Sequence, residues 1–554
     1  MKPGDPHWHS NVQPPALRSQ DGAPDWLDSA DVVIVGLGGA GVCAAIEALD
    51  AGASVIALDR FTGGGATRMS GGVVYAGGGT AQQREAGVDD DPANMYAYLK
   101  QEVGDAVREE TLRHFCDTST EMLDWLESHG VRFSGALSPI KTSYPADGCY
   151  LYHSGNEAQA DYAVTARPAQ RGHRTFGENL TGRYLFDALL ESALAKGLKL
   201  ITHAEAQRFI LADDGTIEGV EFRQIAPGTK AARKLDRIAA KFGEPATLLF
   251  PKIGAKLKRQ AADIMSAQSV TRSVRCDKAV ILAAGGFVQN REMVEYHAPR
   301  YLGATPLGSI GCDGSGIRLG QSVGAATDRL ENISAWRQFQ PPRALATGIV
   351  VNARGERFVS EDCYGGTIGH AIAEQPGCAA YIIIDAELRR QAIRQAMPGK
   401  GRLFRLQGAP ALMGLFLSSK KAATIEELAD KCDMDPAKLR EAVEHNNRAA
   451  DGLEDTQFRK ADTFTGKIMK PPFTAIDISI GNQRYLCPSI SLGGVIVDEA
   501  SGQVLGEDGQ PIERLFAAGK TARGISSHRY VSGISLADCV YSGRIAGRSA
   551  AKRN

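Results

Sequence analysis

One segment near the start of the chain restricts the fold more than any other. Residues 32–35 form an unbroken β-branched run, which is typical of a parallel strand buried on both faces. A G-x-G-x-x-G pattern at 36–41 follows, and an Ala-rich stretch at 42–51 has its apolar residues at helical spacing. A second apolar strand at 54–58 completes a strand–helix–strand unit. The sequence therefore predicts an α/β fold that begins with a Rossmann-like nucleotide-binding unit.

Each position of the glycine pattern has a physical reason. Gly36 allows a tight turn after the strand, and Gly38 lets backbone N–H groups approach a diphosphate. Gly41 permits close packing of the helix on the strand, and the positive end of that helix then faces the phosphate oxygens. Asp59 lies 18 residues beyond Gly41, at the end of the second strand, where a carboxylate accepts hydrogen bonds from an adenosine ribose. The pattern indicates a bound dinucleotide.

Three further glycine-rich segments favour FAD over a nicotinamide nucleotide. The first, at 64–72, directly follows the ribose acid and offers additional backbone donors along an extended cofactor. The other two, at 283–287 and 515–519, are apolar strands that end in glycine. A cofactor can therefore lie across the carboxyl edge of one sheet.

Charge and cysteine usage exclude several classes of function. Lys plus Arg total 63 and Asp plus Glu total 64, a balance that argues against nucleic-acid binding through net positive charge. The ten cysteines show no CxxC or CxxCH spacing, so we expect free thiols in a reducing compartment and no metal site. The first 28 residues lack the apolar core of a signal peptide. No apolar stretch approaches the ~18 residues of a spanning helix, so we expect a cytoplasmic protein.

The chain of 554 residues is long enough for two or three compact units. We predict a flexible N-terminal arm at 1–29, the first part of the FAD-binding domain at 30–289, and a capping or substrate domain at 290–482. The tail at 483–554 returns to the FAD-binding domain.

Local periodicity predicts some of the elements within these units. Helices are expected around 92–129, at 182–196 and at 424–447. A small β-meander is expected over 198–224, and a buried strand at 279–287.

Eight segments spread along the chain resemble one family. They are VVIVGLGGAG at 32–41, GGATRMSGG at 64–72, ILAAGGF at 281–287, DGSGIRLGQSVGA at 313–325, GERFVSED at 355–362, LGGVIVD at 492–498, LFAAGK at 515–520 and SGISLADCVYSGRIAG at 532–547. The chain resembles the FAD-dependent flavoproteins of the fumarate reductase and succinate dehydrogenase family, which includes the 3-ketosteroid dehydrogenases. The resemblance implies a Rossmann-like FAD-binding domain with an inserted α+β capping domain, and an active site between them.

The glycine clusters and the resemblance together imply a set of FAD-binding residues. These are Gly36, Gly38, Gly39, Ala40, Gly41, Asp59, Arg60, Gly65, Ala66, Thr67, Ser70, Gly71, Gly72, Ala206, Ala284, Gly285, Gly286, Asp313, Gly519, Ser535 and Leu536. Positions 61–72 contain no His, so we expect the FAD to be non-covalent. Lys520 stands where the family has Glu.

The residues before the C-terminal helix separate the branches of the family. The HPT and HTGAN elements with which the fumarate enzymes clamp a dicarboxylate are missing. Tyr530, Val531, Ser532 and Gly533 stand there instead, and this Tyr-x-Ser-Gly resembles the 3-oxo-5α-steroid 4-dehydrogenases. Both steroid groups also place a Tyr after the ERF turn, where this chain has Tyr364. The resemblance implies Tyr364, Tyr530 and Ser532 as catalytic residues.

Removal of hydrogen beside a 3-keto group needs such residues. Proton abstraction at C4 leaves negative charge on the C3 oxygen, so an oxygen base and a donor to that oxygen are required. We assign Ser532 and Tyr364 to abstraction and relay of the proton, and Tyr530 to the C3 oxygen or the relay. The alternative for both tyrosines is core packing.

We expect an FAD-dependent oxidoreductase that acts on 3-ketosteroids, with an artificial or protein electron acceptor. The alternatives are a 3-ketosteroid Δ1-dehydrogenase, an enoate reductase of the same fold, and a flavin-binding protein without turnover. Several other side chains are candidate walls for a flat substrate, although core packing is favoured for them: Trp336, Phe339, the Pro341-Pro342 pair, Tyr150 and Tyr152.

The stretch at 226–270 interrupts the α/β pattern. Its central part, 228–262, has nine Lys or Arg against two acidic residues, with apolar residues between them. A basic amphipathic segment of this kind suits peripheral docking on an anionic membrane surface. The alternatives are a solvated helical hairpin or a contact between subunits.

Overall fold

The computed structural model describes residues 1–18, 24–244, 247–248, 250–337, 340, 342–397, 408–453 and 457–553. The strands are β1 Ala16–Leu17, β2 Trp26–Val35, β3 Val55–Leu58, β4 Val73–Tyr75, β5 Leu151–Tyr152, β6 Gly172–Arg174, β7 Lys199–Ile201, β8 Ala204–Leu211, β9 Ile217–Gln224, β10 Val270–Leu282, β11 Thr305–Pro306, β12 Thr327–Asp328, β13 Ile333–Ala335, β14 Ile349–Asn352, β15 Ala380–Ile384, β16 Ser419–Ala422, β17 Phe473–Asp477, β18 Pro488–Ser491, β19 Gly494–Val495, β20 Gln503–Leu505 and β21 Pro511–Ala517.

The α-helices are α1 Gly39–Asp50, α2 Gly65–Met69, α3 Ala81–Glu85, α4 Pro92–Val103, α5 Glu109–Asp117, α6 Ser119–Ser128, α7 Ala160–Ala163, α8 Gly182–Ala195, α9 Lys230–Phe242, α10 Pro251–Gln268, α11 Arg291–His297, α12 Ser315–Ser322, α13 Arg343–Thr347, α14 Gly365–Ala373, α15 Ala386–Ala396, α16 Ala409–Leu417, α17 Ile425–Lys431, α18 Pro436–Ala450 and α19 Ile534–Ala551. Short 3₁₀ helices occupy Pro299–Tyr301, Pro376–Cys378, Asp462–Phe464, Gly519–Thr521 and Ile525–Ser527. Among the described residues, no helix combines the length and apolar character that a bilayer crossing requires.

The largest sheet of the described chain has β10 and β2 at its centre. β2 pairs in parallel with β3 on one side and with β10 on the other. The C-terminal half of β10 also pairs in parallel with β21, and its N-terminal half pairs antiparallel with β9. The carboxyl ends of β2, β3, β10 and β21 therefore meet at one edge, where the glycine-rich turns follow them. This arrangement is the α/β, Rossmann-like architecture that the sequence predicts.

The predicted strand at 279–287 differs from the observed one at both ends. β10 begins nine residues earlier, at Val270, and ends at Leu282. Its early part is partly exposed and pairs antiparallel with β9, so the buried apolar pattern that marks the later part is missing there. The β-meander predicted over 198–224 is observed only in part, because β8 pairs with β9 whereas β7 pairs in parallel with β3. The chain leaves the sheet before the glycines, and Gly285 has a φ of +85°.

The described part of the N-terminal segment is packed on the fold, whereas the sequence predicts a flexible arm at 1–29. Trp8 is buried, and its indole Nε1 donates to the carbonyl oxygen of Val12 at 2.8 Å. Ala16–Leu17 adds an edge strand to β8, and β2 already begins at Trp26. The sequence did not predict these contacts, because the segment is rich in Pro and His and a single buried Trp gives no periodic pattern.

Two regions that the sequence predicts as helical are divided into shorter helices in the structure. The region at 92–129 forms α4, α5 and α6, and Gly104 with a φ of +59° ends the first. The region at 424–447 forms α17 and α18, with Asp433 at a φ of +58° between them. Asp435 caps α18 ahead of Pro436, since its side chain accepts from Ala437 N, so the Asp-Pro pair marked this boundary.

A second sheet lies within the span predicted as the capping domain. Its described strands run in the order β14-β15-β17-β16, with α15, α17 and α18 among the helices packed against them. A smaller sheet, β11-β18-β13, joins residues before and after this region.

The basic segment forms a hairpin of α9 and α10. Leu235, Ile238, Phe242 and Leu257 are buried in a small core of the hairpin, which also contacts Phe61. Four of the apolar residues that interleave with the basic ones are therefore used inside the hairpin. Phe250 and Ile253, at the turn and the start of α10, remain 59% and 38% exposed.

Candidate active site

A cavity of about 620 Å³ lies at the carboxyl edge of the central sheet. The turn after β2, the ends of β3, β10 and β21, and the first turn of α19 line it. Its size falls within the range of small-molecule and cofactor pockets. Most of the predicted cofactor residues and all three predicted catalytic residues lie in its wall.

The first glycine turn has the shape that a diphosphate requires. Gly36 has a φ of +95°, and a Cβ there would lie 2.6 Å from Ala284 Cα. A Cβ at Gly41 would lie 2.1 Å from the Gly36 carbonyl oxygen, so α1 packs tightly on the turn. At Gly38, by contrast, the nearest atom to a Cβ is 4.0 Å away, which leaves bare backbone facing the cavity. The positive end of α1 is thus open to an anion.

Backbone N–H groups hold the carboxylate of Asp59. One oxygen of Asp59 accepts from Leu37 N at 3.0 Å, and the other accepts from Phe61 N and Gly63 N at 2.9 and 3.1 Å. These bonds use three of the roughly four lone-pair sites of a carboxylate. Asp59 also lines the cavity. A hydrogen bond from the ribose to its remaining lone-pair site is a prediction.

Arg60 lies beside Asp59 and holds the neighbouring wall together. Its guanidinium pairs with Asp313 at 2.6 Å and with Glu205 at 3.4 Å. Asp313 is therefore a partner of Arg60 and does not itself line the cavity.

The second glycine cluster forms the short helix α2 and the turn after it. Gly39 N donates to the Thr67 hydroxyl at 3.0 Å, which joins the cluster to the start of α1. A Cβ at Gly71 would lie 2.5 Å from the Tyr144 ring, and one at Gly72 would lie 2.5 Å from the Thr181 backbone. These glycines bring backbone to the cavity wall where a side chain has no room.

The structure places most of the predicted cofactor residues in the cavity wall. Among them, Gly41, Asp313 and Gly519 are not in direct contact with the cavity. Gly41 and Gly519 act by close packing, since a Cβ at Gly519 would lie 2.8 Å from Ala40 Cβ.

The three predicted catalytic residues lie together in the wall of this cavity. Tyr364, Tyr530 and Ser532 all line it, and the two tyrosine ring centroids are 6.4 Å apart. Tyr364 precedes α14, whose first glycines allow close approach, because a Cβ at Gly366 would lie 2.9 Å from the Tyr530 carbonyl oxygen.

Ser532 is held by backbone contacts on both sides. Its N–H donates to the Ser154 carbonyl oxygen at 3.1 Å. The next residue, Gly533, has a φ of +94° and accepts from Tyr75 N at 3.1 Å. The left-handed turn at Gly533 therefore ends the segment and starts α19.

Tyr152, for which the sequence favoured core packing, is buried in a small cluster with Val73 and Tyr144 and does not line the cavity. Its hydroxyl lies 3.2 Å from Ser532 Oγ, within hydrogen-bond distance. Tyr150, two residues earlier, donates instead to the Gly177 carbonyl oxygen at 3.2 Å. The only sequence signal was the clustering of Tyr near 150, which does not show which ring turns inwards.

Burial keeps these hydroxyls protonated near neutral pH. It raises the pKa of Tyr530 to about 12. It raises the pKa of Tyr364 well above its usual value, although a hydrogen bond with Ser532 acts in the opposite direction. Burial raises the pKa of Tyr152 as well. The tyrosines are therefore donors or relays in the resting protein.

Of the candidate walls, Trp336 lines the cavity and stacks on Tyr364 at a centroid distance of 6.3 Å. Pro342 lies at the start of α13 and does not line the cavity. Phe339 and Pro341 lie outside the described residues. Tyr144, which the sequence did not single out, lines the cavity and donates to the Gly71 carbonyl oxygen at 2.8 Å.

Comparison with known proteins decides the family. The profile of the FAD binding domain matches residues 31–536. A 3-oxo-5-alpha-steroid 4-dehydrogenase of Comamonas testosteroni is 39% identical over 502 residues, which cover 89% of this chain and 93% of the relative. The chain belongs to the FAD-binding flavoprotein family. The resemblance drawn from the eight sequence segments is thereby confirmed, and FAD is the cofactor of this oxidoreductase.

Solved structures agree with this flavoprotein fold. A 3-ketosteroid-Δ4-(5α)-dehydrogenase from Rhodococcus jostii RHA1, in complex with 4-androstene-3,17-dione, matches with a TM-score of 0.79 at 30% identity, over 98% of this chain and 100% of that chain. A 3-ketosteroid Δ1-dehydrogenase from Sterolibacterium denitrificans matches with a TM-score of 0.64 at 18% identity, over 94% and 99% of the chains, and shows a shared fold.

The cavity fits FAD on physical grounds. Two helix N-termini, those of α1 and α19, reach it, and Ser535 and Leu536 in the first turn of α19 line it. Bare glycine backbone borders it at Gly38, Gly65 and Gly285. Such a surface binds an anion at one end and leaves room for a flat ring system beside the tyrosines.

Proposed function

We propose that this flavoprotein is a 3-oxo-5α-steroid 4-dehydrogenase, which introduces a C4–C5 double bond into 3-ketosteroids. The observation that carries the proposal is that Tyr364, Tyr530 and Ser532 line one cavity together with the cofactor turn. The names of the Comamonas relative and the Rhodococcus structure support the same chemistry.

FAD, when bound, supplies the hydride acceptor. Ser532 takes the C4 proton and Tyr364 relays it, because the two residues line the same cavity. The hydroxyl of Ser532 also contacts that of Tyr152. Tyr530 donates a hydrogen bond to the C3 oxygen, since a pKa of about 12 keeps its proton in place at neutral pH. Bound FAD would accept the C5 hydrogen with its electron pair, and loss of this hydride after the C4 proton would leave the C4–C5 double bond.

The experiment is anaerobic mixing of the yellow holoenzyme with a panel of 5α, 5β and Δ4 3-ketosteroids. We expect fast loss of the flavin colour with the 5α compounds alone. Bleaching with Δ4 compounds, giving a C1–C2 double bond, would favour the Δ1-dehydrogenase instead. A flavin carrier or an enoate reductase would not be bleached by any saturated ketosteroid.

We also propose that the FAD is held without a covalent bond. Positions 61–72, which include the cavity residues of α2, contain no His that could attach to the ring. Acid precipitation should therefore release all of the flavin into the supernatant, and flavin that stays with the pellet would contradict the proposal.

We further propose that the α9–α10 hairpin docks on an anionic lipid surface. The basic residues of α9, such as Arg233, Lys234 and Arg237, are exposed, and so are the side chains of Phe250 and Ile253 at the turn and the start of α10. Phe242, Thr247 and Pro251 of the same hairpin line the cavity. Docking of the hairpin on lipid would therefore bring the cavity close to an apolar substrate dissolved in the membrane.

Vesicle sedimentation tests this contact. The protein should bind phosphatidylglycerol vesicles but not phosphatidylcholine vesicles, and a variant with Arg233, Lys234 and Arg237 changed to Gln should bind less. The matched control changes Lys420 and Lys421, exposed on β16, and should bind normally. Equal binding of the two variants, or no binding by the intact protein, would exclude the hairpin as a lipid contact.

A further inference from the structure

Lys520 is a cation in the cavity wall between the diphosphate turn and the catalytic tyrosines. It follows Gly519, whose backbone is packed against Ala40 at the start of α1. Its ammonium lies 5.8 Å from the centre of the Tyr530 ring. Lys520 therefore stands beside the part of the cavity that lies between the phosphate site and Tyr530.

The ammonium of Lys520 has no carboxylate partner in the described part of the chain. Its Nζ donates to the Ser491 carbonyl oxygen at 3.2 Å, and no carboxylate oxygen of the described residues lies within 4 Å. The acidic neighbour, Asp538, instead accepts from the Ser526 hydroxyl and N–H at 3.0 and 3.3 Å. A desolvated cation without an anion is costly, so the arrangement is suited to a ligand that brings negative charge.

Four other titratable groups lie around Lys520. Burial raises the pKa of Cys312 and of Asp538, and it raises those of Cys539 and Tyr530 to about 12. Burial also lowers the pKa of Lys520 itself, which an added negative charge would reverse. The ammonium is thus a local positive charge whose interaction with the cofactor depends on the charge that the cofactor carries.

The proposed reaction produces such a charge. The C4 proton goes to the hydroxyl relay, and the C5 hydride brings two electrons and one proton to the flavin. The ring system, neutral when oxidised, therefore gains one negative charge unless a second proton follows. A fixed cation at this position stabilises the reduced form more than the oxidised form, and so shifts the equilibrium towards reduction.

We propose that Lys520 is the positioning charge that balances the reduced flavin and raises its reduction potential. The proposal rests on FAD binding and not on the steroid assignment, so it is tested without any steroid. Lys258 provides the matched control, because it also lines the cavity but donates to the Gln289 carbonyl oxygen at 3.0 Å from the hairpin.

The experiment measures the midpoint potential of the holoenzyme during slow enzymatic reduction with a reference dye. Lys520→Met should lower the equilibrium constant for reduction at least ten-fold, which is about 30 mV for two electrons. Lys520→Arg should stay near wild type, and so should Lys258→Met. The pH dependence should change from one proton per two electrons in the wild type to two in Lys520→Met.

An unchanged potential in Lys520→Met at full FAD occupancy would overturn the proposal. If Lys520→Met does not retain FAD, the same measurement is made on Lys520→Gln. Loss of FAD from both variants, with retention in Lys520→Arg, would assign Lys520 to cofactor binding instead and would also overturn it. None of these outcomes depends on whether a ketosteroid is turned over.

Discussion

The hydroxyl of Tyr152 lies 3.2 Å from Ser532 Oγ, although 380 positions separate the two residues in the chain. The contact exists because β5 ends beside the turn that leads into α19, where Ser532 N–H binds the Ser154 carbonyl oxygen. Ser532, the proposed base, is thus in contact with the hydroxyl of Tyr152 and shares the cavity wall with Tyr364. A proton taken from the substrate has a hydroxyl to move to.

Removal of the Ser532 hydroxyl should slow flavin reduction by about a hundred-fold or more, since general-base catalysis contributes on this scale. Ser532→Ala should keep its FAD, because the backbone contacts that hold the turn do not use the hydroxyl. Single-turnover absorbance after mixing with a 3-keto-5α-steroid measures the rate. Tyr530→Phe should behave in the same way, and a wild-type rate in both variants would remove them from the mechanism.

Tyr152→Phe should slow flavin reduction about ten-fold and change its pH dependence, because the relay loses one hydroxyl while the ring packing is kept. Tyr150→Phe is the control, since the Tyr150 hydroxyl binds the Gly177 carbonyl oxygen instead of Ser532. The two variants should have similar melting temperatures. Equal reduction rates in the two variants would show that Tyr152 serves packing alone.

Gly36→Ala should abolish FAD retention and lower the melting temperature. The added methyl group would stand 2.6 Å from Ala284 Cα at a φ of +95°. Gly52→Ala is the matched control, with a φ of +84° but no atom within 4 Å of a Cβ. That variant should lose about 1 kcal/mol of stability from backbone strain and should stay yellow. A yellow, stable Gly36→Ala would contradict the tight turn.

Acid should destabilise the fold through His173. Burial lowers its pKa to about 4, against about 6.5 in an unfolded chain. The unfolded state therefore binds more protons between these values, so this contribution is fully present above pH 6.5 and is lost as the pH falls towards 4. The loss of unfolding free energy amounts to about 3 kcal/mol.

Denaturant unfolding between pH 7 and pH 4 measures the effect. His173→Gln should flatten the dependence of the unfolding free energy on pH, and His114→Gln, which changes an exposed histidine, should not. The same slope in wild type and His173→Gln would assign the acid sensitivity to other groups.

The sequence predicted those elements whose signals lie within one short stretch of the chain. The strand, turn and helix from 32 to 50 were predictable because β-branched residues, glycine spacing and helical periodicity lie within one short stretch. The Tyr-x-Ser-Gly segment could be assigned by resemblance, and the structure brings Tyr364 and Tyr530 into one cavity.

Long-range pairing explains what was not predictable. Tyr152 reaches Ser532 only because β5, β6 and β4 pair side by side, which no local pattern shows. The N-terminal segment was expected to be flexible, yet Arg318 packs on the Trp8 ring at 5.1 Å. The apolar residues of the hairpin suited both a membrane face and an internal core, and only the packing of α9 on α10 shows that Leu235, Ile238, Phe242 and Leu257 belong to the core.

The most direct test of the account uses a 3-keto-5α-steroid with deuterium at C5, mixed anaerobically with the holoenzyme. If the C5 hydrogen leaves as hydride to the flavin, bleaching is slower than with the unlabelled steroid, and the product carries a C4–C5 double bond. Equal bleaching rates together with a C1–C2 double bond, or no bleaching at all, would contradict the account.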